Sequence, residues 1–481
     1  MRERETPNVF HVCNFKQKEE IFMFPRFKEL CFALFTLMAL NSLAAPKPNF
    51  VLILADDLGY GDVGFTGSSQ IKTPHIDALA NDGVIFTQGY VSSAVCGPSR
   101  AGLMTGKNQV RFGFDNNLTN YLPQFKDEFH GLPLSEKTLA TRLADLGYTN
   151  GLVGKWHLGD KEQYHPLKRG FHEFWGYLGG GHHYFRSLPK GKGYDCPIEC
   201  NYKEAQKITY ITDDKGDECV DFIRRHKGKP FFLFASFNAP HAPMHAKLED
   251  LKLYAHIENE KRRAYCAMTH NLDLNVGKIV AELKAQKIYD NTVVVFLSDN
   301  GGPTPNNASL HAPFRGGKGV LLEGGIRVPF SMTWPAKLKA EMNFDHPVSA
   351  LDLAASFTEL AGGSFKADEM DGVNLIPYIT GEKSAQPHES LKWRFTISAA
   401  MVSGDWKLVR LPDRLPMLYN LKTDLAEQNN LAFEEKDRLE KMLKELGDWD
   451  VRLPHPIFME GARWKKEQLK LYDRDWSLVQ P

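Results

Sequence analysis

The sequence predicts an α/β fold: a three-layer domain around a mostly parallel central sheet, followed by a smaller C-terminal α+β subdomain with a short antiparallel sheet. Two observations carry this. Four short runs rich in β-formers, each ending abruptly in polar residues, alternate with helix-forming stretches, and from about residue 385 that alternation gives way to closely spaced short strands. Continuous apolar runs suit strands covered on both faces. Strands alternating with helices suit parallel pairing, because a parallel return needs a crossover of helical length.

The elements follow in order. The first run, Phe50 to Leu54, ends at Asp56-Asp57; the second, Gly151 to Gly154, at Lys155 and His157; the third, Phe231 to Phe237, at Asn238 and His241; the fourth, Val293 to Leu297, at Asp299-Asn300. Helices are predicted over Pro74 to Asn81, Thr138 to Leu146, Cys219 to Lys227 and Arg262 to Gln286. In parallel sheets ligands collect at the carboxyl edge of the strands. The four polar clusters are therefore expected to converge on one edge, although they span about 250 residues. Further on, Trp393 to Ile397, Trp406 to Leu411 and Met417 to Asn420 read as antiparallel strands, and a helix follows with Leu439, Met442, Leu443 and Leu446 on one stripe. The division predicted is an N-terminal extension and signal peptide over 1–45, the main domain over 46–384 and the subdomain over 385–481.

Composition narrows the classes. The chain has 481 residues, 42% hydrophobic and 25% charged, which excludes intrinsic disorder. Its 59 basic residues balance 59 acidic ones, so a nucleic-acid coat is excluded and any anion must be recognised by a local arrangement of charge. Arg26 and Lys28 precede an apolar run of 11 residues, Leu30 to Leu40, and then Ser42-Leu43-Ala44, the order of a cleaved signal peptide. Met23 stands where such a peptide would begin. Eleven residues are too few to span a bilayer, and no other stretch is long and apolar enough, so export to the periplasm or beyond is expected.

Five cysteines follow residue 45. Cys196, Cys200, Cys219 and Cys266 allow three disulfide pairings or stay reduced. Cys96 stands apart, in Cys96-Gly97-Pro98-Ser99-Arg100. Pro98 suits the first turn of a helix, which places Cys96 at the helix N-terminus with Arg100 over the same face. Such a terminus offers free N–H groups to a tetrahedral oxyanion and also lowers a thiol pKa, so a reactive thiolate is one expectation and an anion pocket the other.

The run SSAVCGPSRAGLMTGKN (92–108) resembles the signature of the type I sulfatases, in which the cysteine is oxidised to Cα-formylglycine. The resemblance extends over nearly the whole chain after residue 45, through NFVLILADDLGYGDVG (49–64), GLVGKWHLG (151–159), FNAPHAP (237–243), FLSDNGG (296–302), FRGGKGVLLEGGIRVPF (314–330) and LYNLKTDLAEQNNLA (418–432). These motifs resemble those of bacterial relatives of N-acetylgalactosamine-6-sulfatase and arylsulfatase A. The resemblance implies an alkaline-phosphatase-like fold and hydrolysis of a sulfate ester on a sulfated carbohydrate. It also implies maturation by a formylglycine-generating enzyme.

The residue chemistry agrees with the family's site. Asp56, Asp57, Asp299 and Asn300 offer only oxygen, the ligand set of a hard cation, which the resemblance makes one Ca²⁺ per chain. The resemblance gives catalytic places to Cys96, Arg100, Lys155, His157, His241 and Lys318. Three carboxylates, a divalent cation and the charges of Arg100, Lys155 and Lys318 sum to about +2, which attracts a sulfate monoester. The loop holding His182, His183 and Tyr184 is an expected sugar contact, while Glu323 and Arg327 are expected to order the turn after Lys318. Two other functions fit the same fold: a phosphodiesterase or phosphonate monoester hydrolase, and a catalytically silent glycan-binding protein.

Overall fold

A computed structural model describes residues 46–118, 130–205, 207–459, 462–474 and 476. The expected signal peptide, residues 1–45, lies outside them. No helix among the described residues is long and apolar enough to cross a membrane.

The central sheet has ten strands in the order Met342–Phe344, Val84–Phe86, Phe330–Thr333, Thr292–Ser298, Asn49–Ala55, Phe231–Ser236, Thr149–Lys155, Glu173–Tyr177, Glu199–Cys200 and Lys203–Glu204. The four runs read from the sequence are its centre, and they lie parallel. Phe330–Thr333 is antiparallel to both neighbours, as are the two short strands at the far edge. Every residue of Asn49–Ala55 is buried, and alternate side chains enter different layers: Phe50, Leu52 and Leu54 join one apolar core, Val51, Ile53 and Ala55 the other. Helices Cys96–Thr105, Leu139–Asp145 and Asp352–Leu360 cover the first core. Helices Pro74–Asn81, Ile211–His226 and Glu260–Ala285 cover the second, which makes the three layers.

Two elements differ from expectation. The helix expected to start at Cys219 begins at Ile211. Its buried face carries Ile211, Lys215, Cys219, Phe222 and Ile223, and a lysine in the middle of that face breaks the apolar period on which a sequence reading depends. The C-terminal antiparallel sheet has four strands, Ser390–Phe395, Ser398–Ser403, Trp406–Arg410 and Met417–Asn420. The additional one, Ser398–Ser403, has few β-formers and is held by ladders on both sides. One face of this sheet, with Trp393, Val402 and Val409, joins the first core of the main domain, and the other packs Met401 and Leu408 against Met442 and Leu446 of the helix Lys436–Asp450.

A buried ionic cluster ties the C-terminal sheet to the turn after Lys318. Lys407 Nζ lies 2.8 Å from Glu323 Oε1 and 2.9 Å from Glu427 Oε1, with all three side chains fully buried. Tyr90 donates to Glu323 at 2.8 Å and Arg327 lies 3.2 Å from it, so both side chains anchor the segment that follows that turn to Tyr90. Burial pushes Glu427 up to about 7, whereas Lys407 and Arg327 overcome burial to hold Glu323 below the usual carboxylate range. Removing one partner of a buried pair strands the other. Lys407→Met is therefore expected to lower unfolding free energy by about 3–5 kcal/mol in urea titrations.

Candidate active site

Cys96 opens the helix Cys96–Thr105, following extended Val95, with Pro98 in its first turn. The Gly97 N–H donates to Asn117 Oδ1 at 2.8 Å. The thiol lies 3.6 Å from Asp56 Oδ1 and receives Lys318 Nζ at 3.1 Å. Burial pushes it up to about 12, against the pull of Lys155 and Lys318. This corrects the thiolate expectation: desolvation of a side chain with 2% exposure outweighs the neighbouring lysines. Cys196, Cys200, Cys219 and Cys266 are also free thiols.

Acids and bases from four strand ends interlock around Cys96. Lys155 Nζ lies 2.6 Å from Asp56 Oδ2. Arg100 binds Asp299 Oδ2 through Nε at 2.9 Å and NH2 at 2.8 Å, and its NH1 donates to Ser236 Oγ at 2.7 Å and to the Lys155 carbonyl at 3.2 Å. Asp57 Oδ1 accepts from Lys318 Nζ at 2.6 Å and from Asn300 Nδ2 at 2.7 Å. Asp299 Oδ1 accepts from the Asp57 N–H at 3.3 Å. Asp56, Asp57, Cys96 and His241 offer ligand atoms all within 4.8 Å of one another.

The charges hold one another in opposite states. Burial alone would raise Asp56, yet Lys155, His241, Arg100 and Lys318 hold it far below the usual carboxylate range. Asp299 is pushed up to about 6 by burial and by the adjacent Asp56 charge. Burial is also overcome at Lys318, which the Asp57 and Asp56 carboxylates keep charged. His157 is held well below its ordinary value by burial and by Lys155 and Arg100, and His241 is lowered by burial. Both imidazoles are therefore neutral near pH 7. Asp57 Oδ2 and Asn300 Oδ1 are buried with no hydrogen-bond partner, and buried oxygens left this way fit a hard cation.

Around this centre the expected sugar loop divides. His182 and Tyr184 are fully buried: His182 bonds the carbonyls of His183 and Cys196, and the Tyr184 hydroxyl donates to those of Asn238 and His241, both at 2.8 Å. Tyr184 braces the loop that carries His241, and His182 braces its own loop against Cys196. Of the three, only His183 has exposed surface. Gly180 backs His157, where a Cβ would stand 2.7 Å from Nε2. Three residues that sequence reasoning missed also shape the site. Ser236 links Arg100 to the Lys155 carbonyl, to which it donates at 2.6 Å. Lys215 donates to Asn238 Oδ1 at 2.6 Å. Tyr194, 46% exposed, turns its ring at 82° to His241. Ser236→Ala leaves an Arg100 N–H unpaired, with an expected loss of about 1–3 kcal/mol in thermal unfolding.

A family model described as Sulfatase matches residues 48–364. The chain belongs to the sulfatase family. A second model, described as N-sulphoglucosamine sulphohydrolase, C-terminal, matches residues 316–449, which include the antiparallel sheet. This sulfatase chain is 35% identical over 362 residues to N-acetylgalactosamine-6-sulfatase of Canis lupus familiaris, covering 71% of this chain and 68% of that protein. The crystal structure of Ps i-CgsB in complex with k-i-k-neocarrahexaose is 36% identical with a TM-score of 0.80, covering 90% of this chain and 100% of that one. A phosphonate monoester hydrolase of Agrobacterium radiobacter, 19% identical over 84% of this chain and 96% of that one with a TM-score of 0.60, shares the fold alone. Family membership makes the chain a sulfuric ester hydrolase by fold, and the interlocked cluster is the candidate centre for that chemistry.

Proposed function

We propose that this sulfatase releases sulfate from a sulfated carbohydrate, using formylglycine at position 96 and one Ca²⁺ held by Asp56, Asp57, Asp299 and Asn300. The observation that carries the reading is the position of the Cys96 side chain, between Lys318 Nζ at 3.1 Å and Asp56 at 3.6 Å at a helix N-terminus. A nucleophile there faces a pocket whose cations are already fixed, so no reorganisation is needed as charge moves onto sulfate oxygens. The unpartnered oxygens of Asp57 and Asn300 support the cation. When bound, it supplies positive charge beside the sulfate.

The hydrated aldehyde at residue 96 carries two hydroxyls. One would attack sulfur, its proton passing to Asp299, as the bond from sulfur to the sugar oxygen breaks. The second, once deprotonated, re-forms the aldehyde and expels sulfate, which a thiol or a serine has no second hydroxyl to do. Arg100, Lys155 and Lys318 hold the sulfate oxygens. Lys318, charged, and His241, whose pKa a bound anion raises, protonate the leaving sugar oxygen. Neutral His157 takes the proton for the second step. Export through residues 1–45 and oxidation of Cys96 by a formylglycine-generating enzyme complete the proposal. The relatives named N-acetylgalactosamine-6-sulfatase and the neocarrahexaose complex support an oligosaccharide substrate.

Sulfate release from neocarrahexaose, N-acetylgalactosamine-6-sulfate and an aryl sulfate, measured beside an aryl phosphonate, tests this. Release from at least one sulfated sugar, with the phosphonate slower by about 100-fold or more, is expected. A preference for the phosphonate overturns the reading.

A further inference from the structure

A second cavity, of about 610 Å³, lies on the far side of the loop that carries Lys318. Its floor and the catalytic loop share one carbonyl: Gly302 O accepts from the Lys318 N–H at 3.1 Å and lies 2.9 Å from His311 Nε2. None of the residues proposed above for catalysis or metal binding lines it.

Two features mark it as a binding site. Arg262, Arg315 and Arg474 line it, and no carboxylate does. Arg262 is paired with Asp62 at 2.7 Å, Arg315 donates to the carbonyls of Glu427 and Tyr472 and also acts on the Asp473 carboxylate, and Arg474 lies over the Trp476 ring at 5.3 Å with no ion pair to a described carboxylate. Second, the rim carries Trp476, an aromatic face on which a sugar ring packs. The adjoining groove shares Arg262, Thr304 and Arg474 and carries Glu258 and Glu260 beside Lys261, so its charges are mixed where those lining this cavity are basic.

We propose that this cavity is a second, non-catalytic site for a sulfated saccharide, in which the arginines take a sulfate group and Trp476 takes a sugar face. The assignment rests on the proposed sulfatase function for its choice of anion.

Titration calorimetry of the full chain carrying Cys96→Ala, which does not hydrolyse, with neocarrahexaose tests it. Two binding events per chain are expected, one of which is lost in the added double variant Arg474→Ala, Trp476→Ala. The same event is expected to weaken as salt rises and to be absent with chemically desulfated hexaose. A single event unaffected by the double variant overturns the proposal, as does equal occupancy by inorganic sulfate, which shows a small-anion pocket instead. Sulfate release by the matured Cys96 protein reports separately on the catalytic reading: no release from any ester sinks that reading, even if the cavity still binds.

Discussion

Replacing Cys96 with alanine lowers sulfate release by roughly 10⁴-fold or more, the loss expected when a covalent nucleophile is removed from a site whose other groups stay in place. Serine at the same position is expected to do little better. Its single hydroxyl attacks sulfur once but leaves a stable ester, so one equivalent of product at most appears in a burst. The thiol itself is no substitute, since burial holds it protonated to about pH 12. Intact mass of the peptide around Cys96 is expected to fall by about 18 Da in the active protein, the exchange of thiol for aldehyde. Full turnover by protein whose Cys96 remains a thiol would refute the assignment.

The second large effect concerns the cation. Chelation is expected to lower turnover by about 100-fold or more, restored by Ca²⁺, because Asp56, Asp57 and Asp299 only balance Lys155, Lys318 and Arg100 and the net positive charge that attracts the sulfate is lost with the ion. The folded chain is expected to lose stability as well, by about 4 kcal/mol when the ion had been at a thousand times its dissociation constant. Asp57→Asn should reproduce the loss of turnover while the far-ultraviolet dichroism stays unchanged, since Asp57 stands at a strand end and outside the sheet ladders. Its oxygen Oδ2 accepts no hydrogen bond, with His241 Nε2 3.6 Å away. Unchanged turnover after exhaustive chelation would remove the metal from the mechanism.

Much of the fold was legible because the central strands are buried on both faces. Burial of Phe50 to Leu54 and Val293 to Leu297 forces continuous apolar runs, and the polar residues that end them mark the sheet edge where chemistry collects. What escaped was held by neighbours rather than by propensity. Ser398–Ser403 becomes a strand because ladders flank it, and Lys215 sits on an apolar helix face because Asn238 and the Tyr177 ring receive its ammonium. Ser236 reads as the ordinary end of an apolar strand until Arg100, 136 residues earlier, is placed against it.

By itself, the amino-acid order determined the parallel centre, the helix that begins at Cys96 and the set of acids, bases and amides brought to one edge. Local pattern suffices for these, since each depends on side-chain period or on backbone groups a few residues apart. Tertiary structure alone decided the state of each group and what lies behind it: the protonated thiol, the lowered Asp56 beside the raised Asp299, Tyr184 turned inward, and a second cavity lined with arginine. These follow from desolvation and from Coulomb interactions between residues far apart in sequence, whose strength is set by distances that only the folded chain defines.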